Sequence, residues 1–246
     1  MATSAHRHAN PDADGRDGAS QSAETHPGAT LQVEQPEAEP PRRARRLQSG
    51  NVIREAAAAL FLEKGYQGTS MDDIAAAARI SKQTIYTHFA DKETLFADLV
   101  LGNVDRVDAF VAGISQTVLE ADDVGAGLRR LARQYLRVIV RPEVLQLRRL
   151  VIGESGRFPE LAKTYYERVP QRVYTALATL LQELTDADRL RVADPVLAAH
   201  HFAWLVIGMP MDRGMFYGPD ETLTDAELDR IADAAVQAFM AAYGPA

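Results

Sequence analysis

Beyond Ser49 the chain repeats apolar residues every three to four positions almost without interruption. In SGNVIREAAAALFLEKGY they fall at Val52, Ile53, Ala56, Ala57, Leu60 and Phe61, the period of one helix face. Gly65 is placed to end that helix, because glycine readily takes the backbone conformation of a helix C-terminus. In TSMDDIAAAARI, Thr69 or Ser70 is positioned to cap a helix over about Met71 to Ala78. Asp72 and Asp73 then sit in its first turn, where the helix dipole favours anions. Ser81 can cap a short helix, 82–89, and ADKETLFADLVLGNVDRVDAFVAGI predicts a longer one. Further helical patterns cover about 125–140, 143–153, 159–184, 194–211 and 224–242. Pro142, Pro159 and Pro195 suit first turns, and Asp194 and Thr224 suit caps. No run of alternating β-branched residues appears, so the expected fold is all-α.

Residues 1–45 break this pattern. They are rich in Pro, Gly, Ala, Ser and acidic groups and nearly devoid of large apolar residues. They cannot offset the entropy of ordering and are expected to form a disordered tail. The remaining chain is 246 residues less this tail, with an overall hydrophobic content of 46%, enough for a substantial core. Cysteine is absent, which removes disulfides, thiolate metal sites and cysteine nucleophiles and suits a reducing compartment. No apolar run reaches the ~18 residues of a membrane span, and the N-terminus lacks the apolar centre of a signal peptide. These features predict a cytoplasmic protein without a membrane segment.

Net charge is −7, unevenly spread. Residues 1–41 carry −5, residues 102–246 carry −4, and residues 42–101 carry +2, including the run RRARR at 42–46. The sole net-positive segment is a weak footprint of a polyanionic partner. RRARR reads either as a solvated linker or as a flexible basic arm adding phosphate contacts.

That segment also holds two short helical patterns separated by ARIS, a helix-turn-helix candidate. Ile74, Ile80, Ile85 and Phe89 have the spacing of a small shared core with Leu60 and Phe61. If Ile85 and Phe89 face inward, Lys82, Gln83, Tyr86 and Thr87 point outward. A short helix with such an edge fits the major groove, where base edges present acceptors and donors.

The stretch from Ile53 to Val100, with LFLEKGYQGTS, DIAAAARIS and TIYTHFADKETLF in that order, resembles the DNA-binding domain of the TetR/AcrR family of transcriptional regulators. RRLVIGESGRFPELAKTYYE, 148–167, resembles the C-terminal region of some members more loosely. The resemblance implies a three-helix helix-turn-helix domain over 46–95 and a larger helical ligand-binding and dimerisation domain over 96–246. One departure stands out: Arg79 occupies a turn position that usually carries glycine. The resemblance implies that Lys82, Gln83 and Thr84 approach base edges and nearby phosphates. It implies that Tyr86, His88 and Lys92 touch the DNA backbone, and that Ser70 and Met71 face it. Each has a plainer alternative: Ser70 only as a cap, Tyr86 partly as core, Thr84 as a helix stiffener.

The family plan further implies a homodimer through helices about 194–211 and 224–242, and a repressor released from a palindromic operator by a small-molecule effector. Candidate pocket residues are Phe110, Tyr135, Leu147, Val151, Phe158, Tyr166, Trp204 and Met209, with Arg148 and Glu154 as polar anchors. Alternatives are a constitutive regulator or activator without an effector, and an all-helical enzyme or carrier using Glu154, His200 or His201. The catalytic alternative is weak. The chain has no paired histidines flanking a glutamate on a helix, no phosphate-binding glycine loop and no G-x-S-x-G elbow. Adjacent His200 and His201 point about 100° apart on a helix and cannot easily share one metal; no metal and no other cofactor is expected.

Overall fold

Helix-stop and helix-start residues divide the described chain into eleven helices. The structure is a computed structural model that describes residues 42–102, 104–121, 123–217 and 223–245. In order the helices are α1 (Arg42–Lys64), α2 (Met71–Ala78), α3 (Lys82–His88), α4 (Lys92–Leu101), α5 (Val104–Leu119) and α6 (Val124–Ile139). Then come α7 (Pro142–Gly153), α8 (Pro159–Arg168), α9 (Pro170–Asp186), α10 (Pro195–Tyr217) and α11 (Asp225–Tyr243). There is no strand among the described residues. None of their helices is long and apolar enough to cross a membrane.

Several local expectations are met. α1 stops at Gly65, whose φ is +73°, a conformation glycine adopts without a Cβ clash. Ser70, Ser81 and Thr224 cap α2, α3 and α11, each accepting a backbone N–H three residues on.

Four boundaries differ from the sequence reading. α1 begins at Arg42, so RRARR is the first turn of a helix and not an unstructured arm; the rest of the expected tail, 1–41, lies outside the described residues. The helix expected to run on from Lys92 breaks at Gly102, which donates to the Asp98 carbonyl at 2.7 Å. The pattern at 159–184 is two helices. Pro170 disfavours a helical backbone at Val169, which sits at φ −114°, ψ −81°. α10 runs on to Tyr217, carrying buried Pro210 within it.

Two apolar cores organise these helices. The larger is built from α5, α6, α9, α10 and α11 around Leu128, Leu180, Phe202 and Phe239. α6 approaches α5 so closely that a Cβ at Gly127 would lie 3.0 Å from Val118 Cα. The smaller core joins α1, α2, α3 and α4 through Ile53, Phe61, Ile74, Ile85 and Phe96. Each of these side chains is at most 1% exposed, and each contributes roughly 1.5–3 kcal/mol by leaving water. Leu60 and Ile80 pack against it at its edge. The connection to the body is intimate. Val151 of α7 and Tyr165 of α8 are buried in this same core. Phe158, between those helices, packs 4.8 Å from the Tyr66 ring and 5.5 Å from that of Phe96. The α7–α8 pair therefore belongs to the packing of the N-terminal helices, across the domain boundary expected at residue 95.

Candidate nucleic-acid interface and adjoining cavity

α2 and α3 meet at a turn whose geometry explains the unusual Arg79. Arg79 has φ 54° and ψ 42°, the left-handed region, and its N–H donates to the α2 terminus. Ile80 N–H reaches back to the Ala75 carbonyl at 3.1 Å. This is the glycine-type helix ending made by a non-glycine, at a cost of about 1–2 kcal/mol. Ser81 then starts α3, accepting from Thr84 N–H at 3.1 Å, while the Ser81 and Thr84 hydroxyls hydrogen-bond at 2.8 Å.

Beneath α3, Ile85 and Phe89 are 0% and 5% exposed. Lys82, Gln83, Tyr86 and Thr87 are exposed, as the helical spacing requires. Thr84 is half-buried, with its hydroxyl held by Ser81. Lys82 forms an exposed ion pair with Asp72 of α2 at 2.5 Å; such a pair is weak and exchangeable. The start of α2 is a capping box. Ser70 Oγ accepts from Asp73 N–H at 3.1 Å, and Asp73 accepts from Ser70 N–H at 2.9 Å and from its hydroxyl at 2.6 Å. These bonds hold the Asp73 carboxyl below the ordinary range. Between these elements lies an open hollow of about 460 Å³, bordered by Gln67, Thr69, Ser70, Lys82, Tyr86 and Lys92.

Three of the expected contact residues are placed differently. The Met71 side chain is 8% exposed and packs into the small core, so only its backbone and rim reach the hollow. His88 turns toward α1, with Nε2 2.8 Å from Ser49 Oγ. Burial, with the Arg46 and Arg54 charges nearby, lowers its pKa, so it is neutral at pH 7 and brings no positive charge outward. Lys92 is also drawn inward. Its Nζ donates to the carbonyls of Tyr66 at 2.9 Å and Thr69 at 2.7 Å and lies 4.2 Å from the Tyr66 ring centroid. The sequence pattern had not singled out Arg54. It donates to Asp98 at 2.6 Å and lies over Phe89 at 5.5 Å, tying α1 to α4 and to the foot of α3. Its partner Asp98 is 44 residues away in sequence, so no local signal marked it.

Behind the interface lies a cavity of about 1190 Å³. Its walls come from α1 and α4 on one side and from α5 to α10 on the other. Of the expected pocket residues, Phe110, Tyr135, Leu147 and Arg148 border it. The other six do not. Val151 and Phe158 are spent in the small core. Glu154 caps α7 and pairs with Arg157 at 3.6 Å. Tyr166 is 45% exposed, and Trp204 and Met209 are 49% and 48% exposed on the outer side of α10. Unforeseen wall residues include Leu62 and Phe96 from the N-terminal helices and Tyr165, Val173 and Tyr174 from the body. His200 and His201 point elsewhere: His200 packs 4.4 Å from the Tyr174 ring, and His201 Nδ1 lies 2.6 Å from the Tyr243 hydroxyl. With Glu154 they form no convergent catalytic group.

Residues 53–99 match the model of bacterial regulatory proteins of the tetR family. Residues 126–245 match that of the AefR-like transcriptional repressor C-terminal domain. Among solved structures the chain is similar to a protein of Mesorhizobium loti assigned to the TetR-family transcriptional regulators. The two are 40% identical with a TM-score of 0.73, over 81% of this chain and 98% of that one. It is also similar to the flavonoid-responsive regulator FrrA, 34% identical with a TM-score of 0.60, over 80% of this chain and 98% of that one. Among curated proteins, it is 29% identical over 107 residues to IcaR, a negative transcriptional regulator of a biofilm operon in Staphylococcus epidermidis. That match covers 38% of this chain and 55% of IcaR. It is 27% identical over 128 residues to the TetC protein of transposon Tn10 from Escherichia coli, covering 50% of this chain and 61% of TetC. The chain thus spans between 55% and 61% of the length of these two curated relatives.

Proposed function

Since this chain belongs to the tetR family of transcriptional regulators, we propose that it works as a homodimeric repressor released from a palindromic operator by a small molecule held in its cavity. It is a DNA-binding regulator and not an enzyme. The finer reading rests first on the cavity, whose walls are shared between the DNA-binding helices and the body. A ligand there touches Leu62 of α1 and Phe96 of α4 as directly as it touches Tyr135 of α6. Filling it acts on the pose of α1 and α4, and through the Arg54 tie on α3. The ligand releases DNA to the extent that it binds the spread arrangement better than the DNA-competent one.

The dimer is supported by the outer face of α10. Leu197, Trp204, Leu205, Met209 and Phe216 are between 45% and 80% exposed, and at helical spacing they share one side. Exposed Ala234, Ala238 and Ala241 of α11 offer a close-packing stripe beside it. Contiguous apolar surface of this kind marks an association site. A two-fold pairing of α10 and α11 places two α3 helices for successive major grooves, about 34–36 Å apart. In this reading Lys82, Gln83 and Tyr86 contact bases and phosphates, and Ser70 with the hollow beside it seats the DNA backbone.

The test is fluorescence anisotropy with the DNA flanking the protein's own gene, against random DNA of equal length and salt. Preferential binding by a dimer, lost on Lys82→Ala, is expected. An affinity for the flanking DNA no greater than for random DNA overturns the proposal.

A further inference from the structure

Resting on the effector reading above, we propose that the cavity selects an amphipathic small molecule with a single negative charge, a carboxylate or a phenolate, and that Arg148 is the residue that selects it. Four helices bring the polar side chains on which the argument turns to the cavity: Tyr135 from α6, Arg148 from α7, Tyr165 from α8 and Tyr174 from α9. Arg148 makes no ion pair or hydrogen bond with another described residue, whereas Arg54 and Arg172 have the carboxylate partners Asp98 and Asp108. The three phenol hydroxyls likewise donate to no described protein acceptor.

Their surroundings define what is missing. Burial pushes all three phenols upward in pKa, and the Arg148 charge pulls each of them back, which places the guanidinium within electrostatic reach of all three. The phenols stay protonated and act as donors. Arg148 and the three tyrosines therefore bring one fixed positive charge and three phenol donors to the wall, and no carboxylate is paired with them among the described residues. Other charged groups on the walls do not supply one. Asp98 is held by Arg54 at 2.6 Å, and Glu55 and Glu143 are exposed at the rim, as are Arg137 and Arg141. Most of the remaining wall is apolar, including Leu62, Phe96, Phe110, Leu147 and Val173.

A neutral apolar ligand would desolvate the guanidinium without compensating it, and a cationic one would be repelled. An anionic head group accepts a charge-assisted fork from Arg148 and hydrogen bonds from the phenols while its apolar body meets the rest of the wall. Because Arg148 sits on α7 and Tyr165 on α8, whose neighbours Val151 and Phe158 pack into the small core, the head group would bear on the very helices that brace the DNA-binding unit.

The experiment uses the full chain and two fluorescent probes with the same aromatic body, anilinonaphthalene sulfonate and neutral N-phenylnaphthylamine. The sulfonate stands in for the carboxylate. Arg148→Met is expected to weaken the anionic probe by at least about tenfold and Arg148→Lys to restore most of that loss. The neutral probe is expected to bind all three proteins alike, which also reports that the variants are folded; Arg148→Gln replaces Arg148→Met if it is not. Displacement by dodecanoate as against dinitrophenolate then separates the carboxylate from the phenolate. An anionic probe unaffected by Arg148→Met, whether seated in the cavity or on the outer face of α10, overturns the assignment while leaving the cavity reading standing. Failure of both probes to bind the wild type overturns the cavity reading itself.

Discussion

Removing the Lys92 ammonium separates a role in holding the fold from a role in holding DNA. The ammonium donates to two carbonyls, Tyr66 and Thr69, and faces the Tyr66 ring. Hydrogen bonds to charged groups contribute about 1.5–3 kcal/mol each, and a cation–π contact about 0.5–1 kcal/mol. Ordering a long lysine side chain costs up to ~2 kcal/mol. Both carbonyls lie in the turn that leads to Ser70, and the site is partly open to water, so the low end of these ranges applies. Lys92→Met, which keeps most of the stem, is then expected to destabilise the protein by about 2 kcal/mol, or roughly 4–8 °C in Tm for a chain of this size. Thermal unfolding followed by circular dichroism at one fixed protein concentration measures this, since an associating protein's Tm depends on concentration. The salt dependence of DNA binding discriminates the two roles. A phosphate contact would lower the slope by about one on substitution; an internal brace leaves the slope alone while weakening binding to all sequences. A Lys92→Met protein that melts like the wild type but has lost one unit of salt slope would refute the bracing argument.

Arg79→Gly is expected to stabilise by about 1 kcal/mol in urea unfolding, because the left-handed backbone at φ 54° then carries no side-chain penalty; a loss of stability would show that the Arg79 side chain contributes more than the strain it brings. His88 has its pKa lowered below 6.5, so the unfolded chain takes up a proton that the folded one refuses. Its contribution is fully present above the ordinary histidine range and is lost as pH falls through about 6.5, until the folded imidazole itself protonates. His88→Gln should flatten that part of the stability curve, and identical curves for the two proteins would count against it. Leu205→Glu puts a charge on the apolar outer face of α10 and should shift a dimer toward monomer by at least about tenfold in Kd, as read by analytical ultracentrifugation; unchanged association would remove α10 as the interface. Gly127→Ala drives a Cβ to 3.0 Å from Val118 Cα, and should cost about 1–3 kcal/mol by overpacking, measured by the same unfolding assay; a neutral effect would mean that α5 yields freely.

The local grammar of the chain was legible from its residues. Ser70, Ser81 and Thr224 cap their helices, Gly65 stops α1, and Ile85 and Phe89 anchor α3 with its polar edge outward. Each of these outcomes is decided by groups within about four residues of one another, the reach of helical hydrogen bonding and side-chain spacing. Pro170 was visible too, and its effect on Val169 is equally local; the 3.6-residue pattern running through it masked the break.

Partner choice is a different matter. An apolar face announces that it must be covered but carries no label for what covers it. So Val151 and Phe158, expected in a pocket, complete the core of the DNA-binding helices. Trp204 and Met209 lie on the outer face of α10, and Tyr165 and Tyr174 enter the cavity wall unannounced. Polar side chains follow the same logic. Lys92 and His88 read as outward groups until the Tyr66–Thr69 turn and Ser49 came within hydrogen-bonding distance. The sequence by itself settled that the chain is helical, where most helices are capped and which edge of α3 is polar, because those energies are short-range along the chain. Only tertiary packing, summed over helices far apart in sequence, decided where the cavity lies, which side chains line it and which charges remain without a partner.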